Sequence, residues 1–200
     1  MKTTGLKALS FLGCAVFVLS AAFDAEAQRE KTKPDASPGA SVSQIIGIDS
    51  HIAISYHRPG VKGREGKVYG KDVEETKYLA PYGGDPMPWR GGANETTTFE
   101  FENDVKIEGK ALPAGKYGFH IIPSESEWIL VFNKTSSAWG SFGYKKEDDA
   151  LRVTVKPQDA AHQEWLIYTF EELSAESVVV QLRWESKKIR FKVELDDDSA

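Results

Sequence analysis

Cysteine is almost missing: Cys14 is the only one in 200 residues. That excludes a disulfide framework, a cysteine-rich zinc site and an iron–sulfur cluster. A basic excess is missing too. The net charge of -5 and a pI near 5.5 argue against a nucleic-acid partner. The chain has no Gly-x-Ser-x-Gly nucleophile elbow, no phosphate-cradling glycine loop and no His-Glu-x-x-His metal motif. Helical periodicity is nearly absent, and so is the βαβ alternation of a doubly wound nucleotide-binding fold. No cofactor and no metal site is implied.

What is present first is an address. Lys2 and Lys7 precede the apolar run Ala8 to Phe23, and Ala25-Glu26-Ala27 forms an A-x-A cleavage pattern. This predicts a signal peptide over residues 1–27, and with it export to the periplasm or beyond. The run is short for a spanning helix, which needs about 20 residues, and no later stretch spans a membrane. A lipoprotein signal at Leu12-Gly13-Cys14 is the lesser alternative, because apolar sequence continues past Cys14. Cleavage after Ala27 removes that cysteine. Residues 28–40 are polar with two prolines and read as a flexible leader.

The body, residues 41–195, has a hydrophobic share sufficient for one domain and alternates with period two. Ile52, Ile54 and Tyr56 share one parity, as do Thr97, Phe99 and Phe101, then Tyr117, Phe119 and Ile121. Trp128 to Phe132 is a continuous apolar run, predicting a strand covered on both faces. Leu151, Val153 and Val155 alternate, then Val178, Val180, Leu182 and Trp184, then Ile189, Phe191, Val193 and Leu195. Glu185-Ser186-Lys187 between the last two runs reads as a hairpin turn. The sum is roughly nine or ten strands of ordinary length, an all-β antiparallel sandwich with a barrel-like alternative. Two connections, Pro59 to Ala93 and Lys134 to Asp149, are long enough to carry function. Residues 196–200 read as an acidic, solvated tail.

Several strings carry a family resemblance. They are Arg58-Pro59-Gly60-Val61-Lys62-Gly63-Arg64, Pro81-Tyr82-Gly83, and Trp89-Arg90-Gly91-Gly92-Ala93-Asn94-Glu95. Asp104 to Lys110, Leu112 to Gly118, Phe132-Asn133-Lys134 and Trp139-Gly140 continue the series in order. The ordered set resembles an exported bacterial family catalogued as domain of unknown function 2911, over about Ala40 to Leu195. The resemblance implies an exported, mostly β domain and no established activity. The stretch Glu65 to Met87 is longer here than in that pattern.

Candidate site residues follow from polarity in the wrong place. Glu95 has the parity of Thr97, Phe99 and Phe101, which predicts a carboxylate on the apolar side of a strand. Such a charge needs a partner, and Arg58, Arg64 and Arg90 are the natural ones, since a guanidinium grips a carboxylate with two hydrogen bonds. The ordinary reading is an ion pair pinning a loop; the sharper one is a pocket. Arg58, Lys62, Arg64, Lys67 and Lys71 against Glu65 make a basic stretch suited to an anion. Trp89 and Trp139 sit in glycine-rich loops, where they either stack on a ligand or cap the core. His51 and His57 are about 20 Å apart along an extended strand, too far to share a metal. His120 reads as a hydrogen-bonded, half-buried histidine.

The expectation is therefore a non-catalytic binding module of the cell envelope. Its ligand site is Arg58, Arg64, Trp89, Arg90, Asn94, Glu95 and His120, taking a small anionic ligand, a glycan or an envelope protein. The alternatives are a periplasmic hydrolase or lyase using Glu95 and His120 as an acid–base pair, and a structural assembly protein of the envelope.

Overall fold

The computed structural model describes residues 36–70, 80–84 and 87–196. The predicted signal peptide, the leader up to residue 35, Lys71 of the basic stretch and the last four residues lie outside the described residues. In chain order the strands are β1 (Gly39–Ile46), β2 (Ser50–His57), β3 (Tyr69–Gly70), β4 (Ala80–Pro81), β5 (Thr97–Phe101) and β6 (Val105–Ile107). They continue with β7 (Lys110–Leu112), β8 (Gly115–Ile122), β9 (Trp128–Asn133), β10 (Asp149–Val155), β11 (Gln158–Glu171) and β12 (Ser177–Leu195). Short 3₁₀ turns lie at Tyr82–Gly84 and Lys146–Asp148.

Ten of these strands form two antiparallel sheets, ordered β1-β2-β5-β8-β9-β10 and β11-β12-β6-β7. The remaining two, β3 and β4, pair with each other in parallel. Neither main sheet closes on itself, so the architecture is the expected sandwich and not its barrel-like alternative. The inner faces follow the sequence alternation. Ile52, Ile54, Phe99, Phe119, Ile121, Leu130 and Phe132 of the larger sheet are fully buried, as are Val178, Val180, Leu182, Phe191 and Val193 of the smaller. Aromatic rings knit the layers together: Phe119 stacks on Phe191 at 6.2 Å and Phe99 meets Tyr168 edge-on at 5.9 Å. Pairs of this geometry are worth about 0.5–1.5 kcal/mol beyond the area they bury. β6 and β7 turn through Glu108 and Gly109, both at positive φ, the backbone of a tight two-residue hairpin.

Three expectations change. Glu185-Ser186-Lys187 is not a hairpin: β12 runs continuously through it, and Gln163 and Asp159 of β11 pair with Glu185 and Lys187. Glu185 takes a left-handed φ of 54° inside the strand, at a bulge where a step of four residues along β11 matches a step of two along β12 on each side. That bulge is why the buried parity switches from Trp184 to Ile189 without a change of face. Gly39 and Ala40, assigned to the leader, already pair with His57 and Tyr56 in β1. Asp196, assigned to the solvated tail, is held by Lys106 at 2.7 Å and donates its N–H to the Asp104 carbonyl.

Candidate functional site

The outer face of the larger sheet is the unusual part of the molecule. Residues with even numbers on β5 and β8, and odd numbers on β9, point away from the sandwich core, yet Thr98, His120, Val131 and Asn133 are all buried, as is Thr96 just before β5. Their cover is the loop between β9 and β10. It lies close enough to β8 that a Cβ on Gly118 would overlap the Thr135 carbonyl.

Side-chain hydrogen bonds bolt this roof down. Asn133 donates from Nδ2 to the Lys145 carbonyl at 2.9 Å and to Asp149 Oδ1 at 2.8 Å, and its Oδ1 accepts from the Thr135 N–H. Asp149 Oδ2 accepts from Arg152 Nε at 2.6 Å and from the Tyr144 hydroxyl at 3.0 Å. The Thr96 hydroxyl donates to the Gly140 carbonyl at 2.5 Å, and its N–H to the Ala138 carbonyl at 3.0 Å. His120 Nδ1 is 2.9 Å from Ser141 Oγ, and the ring lies edge-on to Tyr144. Burial pushes the His120 pKa down to about 4, with Asp149 opposing that shift and Arg90 reinforcing it. The imidazole is therefore neutral at pH 7. Burial, then the Asp149 carboxylate, raises the Tyr144 phenol above its ordinary value.

At the edge of the roof a groove of about 560 Å³ opens to solvent, lined by Glu95, Thr98, Lys116, Ser136, Ser137 and Trp139 among others. Trp139 is 57% exposed and is held by an antiparallel bridge to Glu95. Lys116 lies 3.4 Å from Glu100, with both side chains half-exposed, a contact worth at most about 1 kcal/mol and easily exchanged for a ligand.

The seven predicted site residues do not meet in this groove. Glu95 lines it, but as an exposed carboxylate 3.2 Å from His57 Nδ1, not as a buried charge gripped by arginine. The three guanidiniums serve backbone carbonyls instead, which in irregular segments need donors. Arg58 Nε donates to Leu166 at 2.8 Å, Arg64 to Val61 and Gly60 at 2.9 and 2.7 Å, and Arg90 Nη1 to Asn94 at 2.6 Å. Arg90 is desolvated enough to fall below its ordinary pKa. Asn94 sits at a φ of 55° and donates from Nδ2 to the Ser37 carbonyl.

Trp89 is corrected outright as a stacking platform. It is 4% exposed, donates its indole N–H to the Gly92 carbonyl, and stacks on Trp184 at 5.7 Å. Trp128 and Tyr69 complete that cluster. Of the strand tryptophans, Trp128 and Trp184 are buried, whereas Trp165 is only half-buried and carries Lys62 Nζ 5.2 Å above its ring. Glu95 and His120 share no hydrogen bond: one is engaged by His57, the other by Ser141.

Lys116, Thr98, Ser136 and Ser137 were not singled out from the sequence. The only signal for them was the length of the loop and the outward parity of β5 and β8.

No helix among the described residues is long and apolar enough to cross a membrane. No curated protein and no solved structure matches the chain. One family does, over residues 37–193, under the description "Protein of unknown function (DUF2911)". That span covers nearly the whole sandwich, and the chain belongs to this family.

Proposed function

We propose that the protein is an exported, non-catalytic module that binds a saccharide in the groove beside Trp139. The observation that carries this reading is Trp139, exposed and tied through its backbone bridge to Glu95, lining one groove together with hydroxyls, one ammonium and one carboxylate. A sugar ring has an apolar C–H face and a polar rim. The indole offers the first a flat surface, and Thr98, Ser136, Ser137 and Lys116 offer the second its hydrogen bonds. Binding sites pair apolar walls with a few placed polar groups in this way. An anionic ligand is less well served, because Arg58, Arg64 and Arg90 do not line the groove, whose lining carries one ammonium, Lys116. Export rests on the basic, apolar and A-x-A pattern of residues 1–27.

The test is isothermal titration of the full chain with a panel of soluble neutral, amino and acidic oligosaccharides. The expected result is saturable binding of at least one class, lost in Trp139→Ala and weakened in Lys116→Ala while the melting temperature stays put. A blank panel, or binding that survives Trp139→Ala, overturns the proposal.

A further inference from the structure

A second constellation lies away from the groove, on the other sheet. Glu65, in the turn after Val61, meets His162 and Glu164 of β11, and one donor atom from each lies within 4.8 Å of the others. His162 and Glu164 are two apart on an extended strand and so project to the same side. The pairing of β11 with β12 is irregular here, with register shifts on both sides of Gln163; such bulges re-aim side chains.

The spacing within the set is informative. His162 Nε2 and Glu164 Oε2 are 3.4 Å apart, too long for a good charge-assisted hydrogen bond, which closes to about 2.8 Å. Two ligands on a tetrahedral metal with bonds near 2.1 Å are separated by about 3.4 Å. One of the carboxylates is also oriented from behind. Glu164 Oε1 accepts the Lys62 N–H at 3.0 Å, leaving Oε2 to face His162. The turn that presents Glu65 is fastened by the two Arg64 bonds to Val61 and Gly60. A further carboxylate, Glu185, is tied to the same turn, accepting the Gly66 N–H at 3.3 Å.

We propose that Glu65, His162 and Glu164 form a site for a divalent transition-metal ion. One imidazole and two carboxylates suit zinc, manganese or iron(II) better than magnesium or calcium, which take oxygen alone. Three protein ligands leave a fourth position open to water or to a group on a partner molecule. Glu65 and His162 are exposed and Glu164 half-buried, so an ion reaches the site directly from solvent.

The experiment is titration of chelator-treated full chain with zinc by calorimetry, and with cobalt(II) followed by its visible absorption. One equivalent should bind saturably. His162→Ala should weaken it by more than about 100-fold, since even indirect supports of a metal ligand are worth roughly 10- to 100-fold. Glu65→Gln should weaken it less, and His51→Ala, on β2, should leave it unchanged. Circular dichroism of the variants checks that they fold. No saturable binding, or binding undiminished in a folded His162→Ala, overturns the site. Because Trp139 plays no part, this outcome is independent of saccharide binding.

Discussion

His120 and Ser141 are joined at 2.9 Å, imidazole to hydroxyl, between the outer face of the larger sheet and the loop that roofs it. The pair links β8, which gives the groove Lys116, to the loop that gives it Ser136, Ser137 and Trp139. Its protonation state therefore bears on both stability and site geometry.

The first expectation concerns acid. The folded pKa of about 4 lies below the ordinary value of 6.5, so between those limits the unfolded chain binds the extra proton. Stability then rises with pH through that window and is lost as pH falls through it, by up to about 3 kcal/mol. Urea unfolding at pH 7 and pH 4 should show a larger drop for the natural chain than for His120→Gln. Equal drops would mean that His120 takes up its proton at the same pH folded and unfolded.

Ser141→Ala leaves a buried imidazole nitrogen without its partner. The expected cost is about 1–3 kcal/mol of unfolding free energy, measured by denaturant titration at pH 7. Saccharide affinity should fall with it, because the loop carrying Trp139 loses one of its ties.

Gly118→Ala tests the roof from below. The added methyl would collide with the Thr135 carbonyl, a backbone atom that moves only if the loop moves. Overpacking of this kind costs about 1–3 kcal/mol. Hydrogen exchange should quicken at Thr96, whose N–H is bonded to the Ala138 carbonyl, and remain slow at Phe99 in the core.

Trp89 and Trp139 should separate cleanly. Trp89→Ala empties a buried aromatic cluster and should cost about 3–5 kcal/mol, whereas Trp139→Ala, at an exposed position, should change stability by less than about 0.5 kcal/mol. Thermal or chemical denaturation of the two variants decides it.

The sandwich was legible because burial on its inner faces writes a period of two into β2, β5, β8, β10 and β12, and the WILVF run marked β9 as covered on both sides. Its roof was not, since the burial of His120 depends on a loop that arrives from 21 residues further on. Glu95 misled for a local reason. Parity extends only as far as the strand does, and β5 begins at Thr97, after Asn94 has turned the chain through a positive φ. Trp89 misled because glycine neighbours look like an exposed loop, while here Gly92 supplies the carbonyl that allows the indole to be buried. At Glu185 a bulge and a turn give the same parity switch, and only pairing with β11 distinguishes them. The first half of β11 is polar, with little burial to pattern it.

The order of strands in the smaller sheet bears on how the chain is made. β6 ends at Ile107 and pairs with β7 on one side, yet its neighbour on the other is β12, which runs from Ser177 to Leu195. During synthesis the β6–β7 hairpin therefore waits for β12, and the inner face of the smaller sheet stays open until that strand has been made. Long-range pairings of this kind fold slowly and leave apolar faces uncovered meanwhile. A truncation within β12 would remove the strand that joins β11 to β6, so the loss of that one segment would divide the smaller sheet.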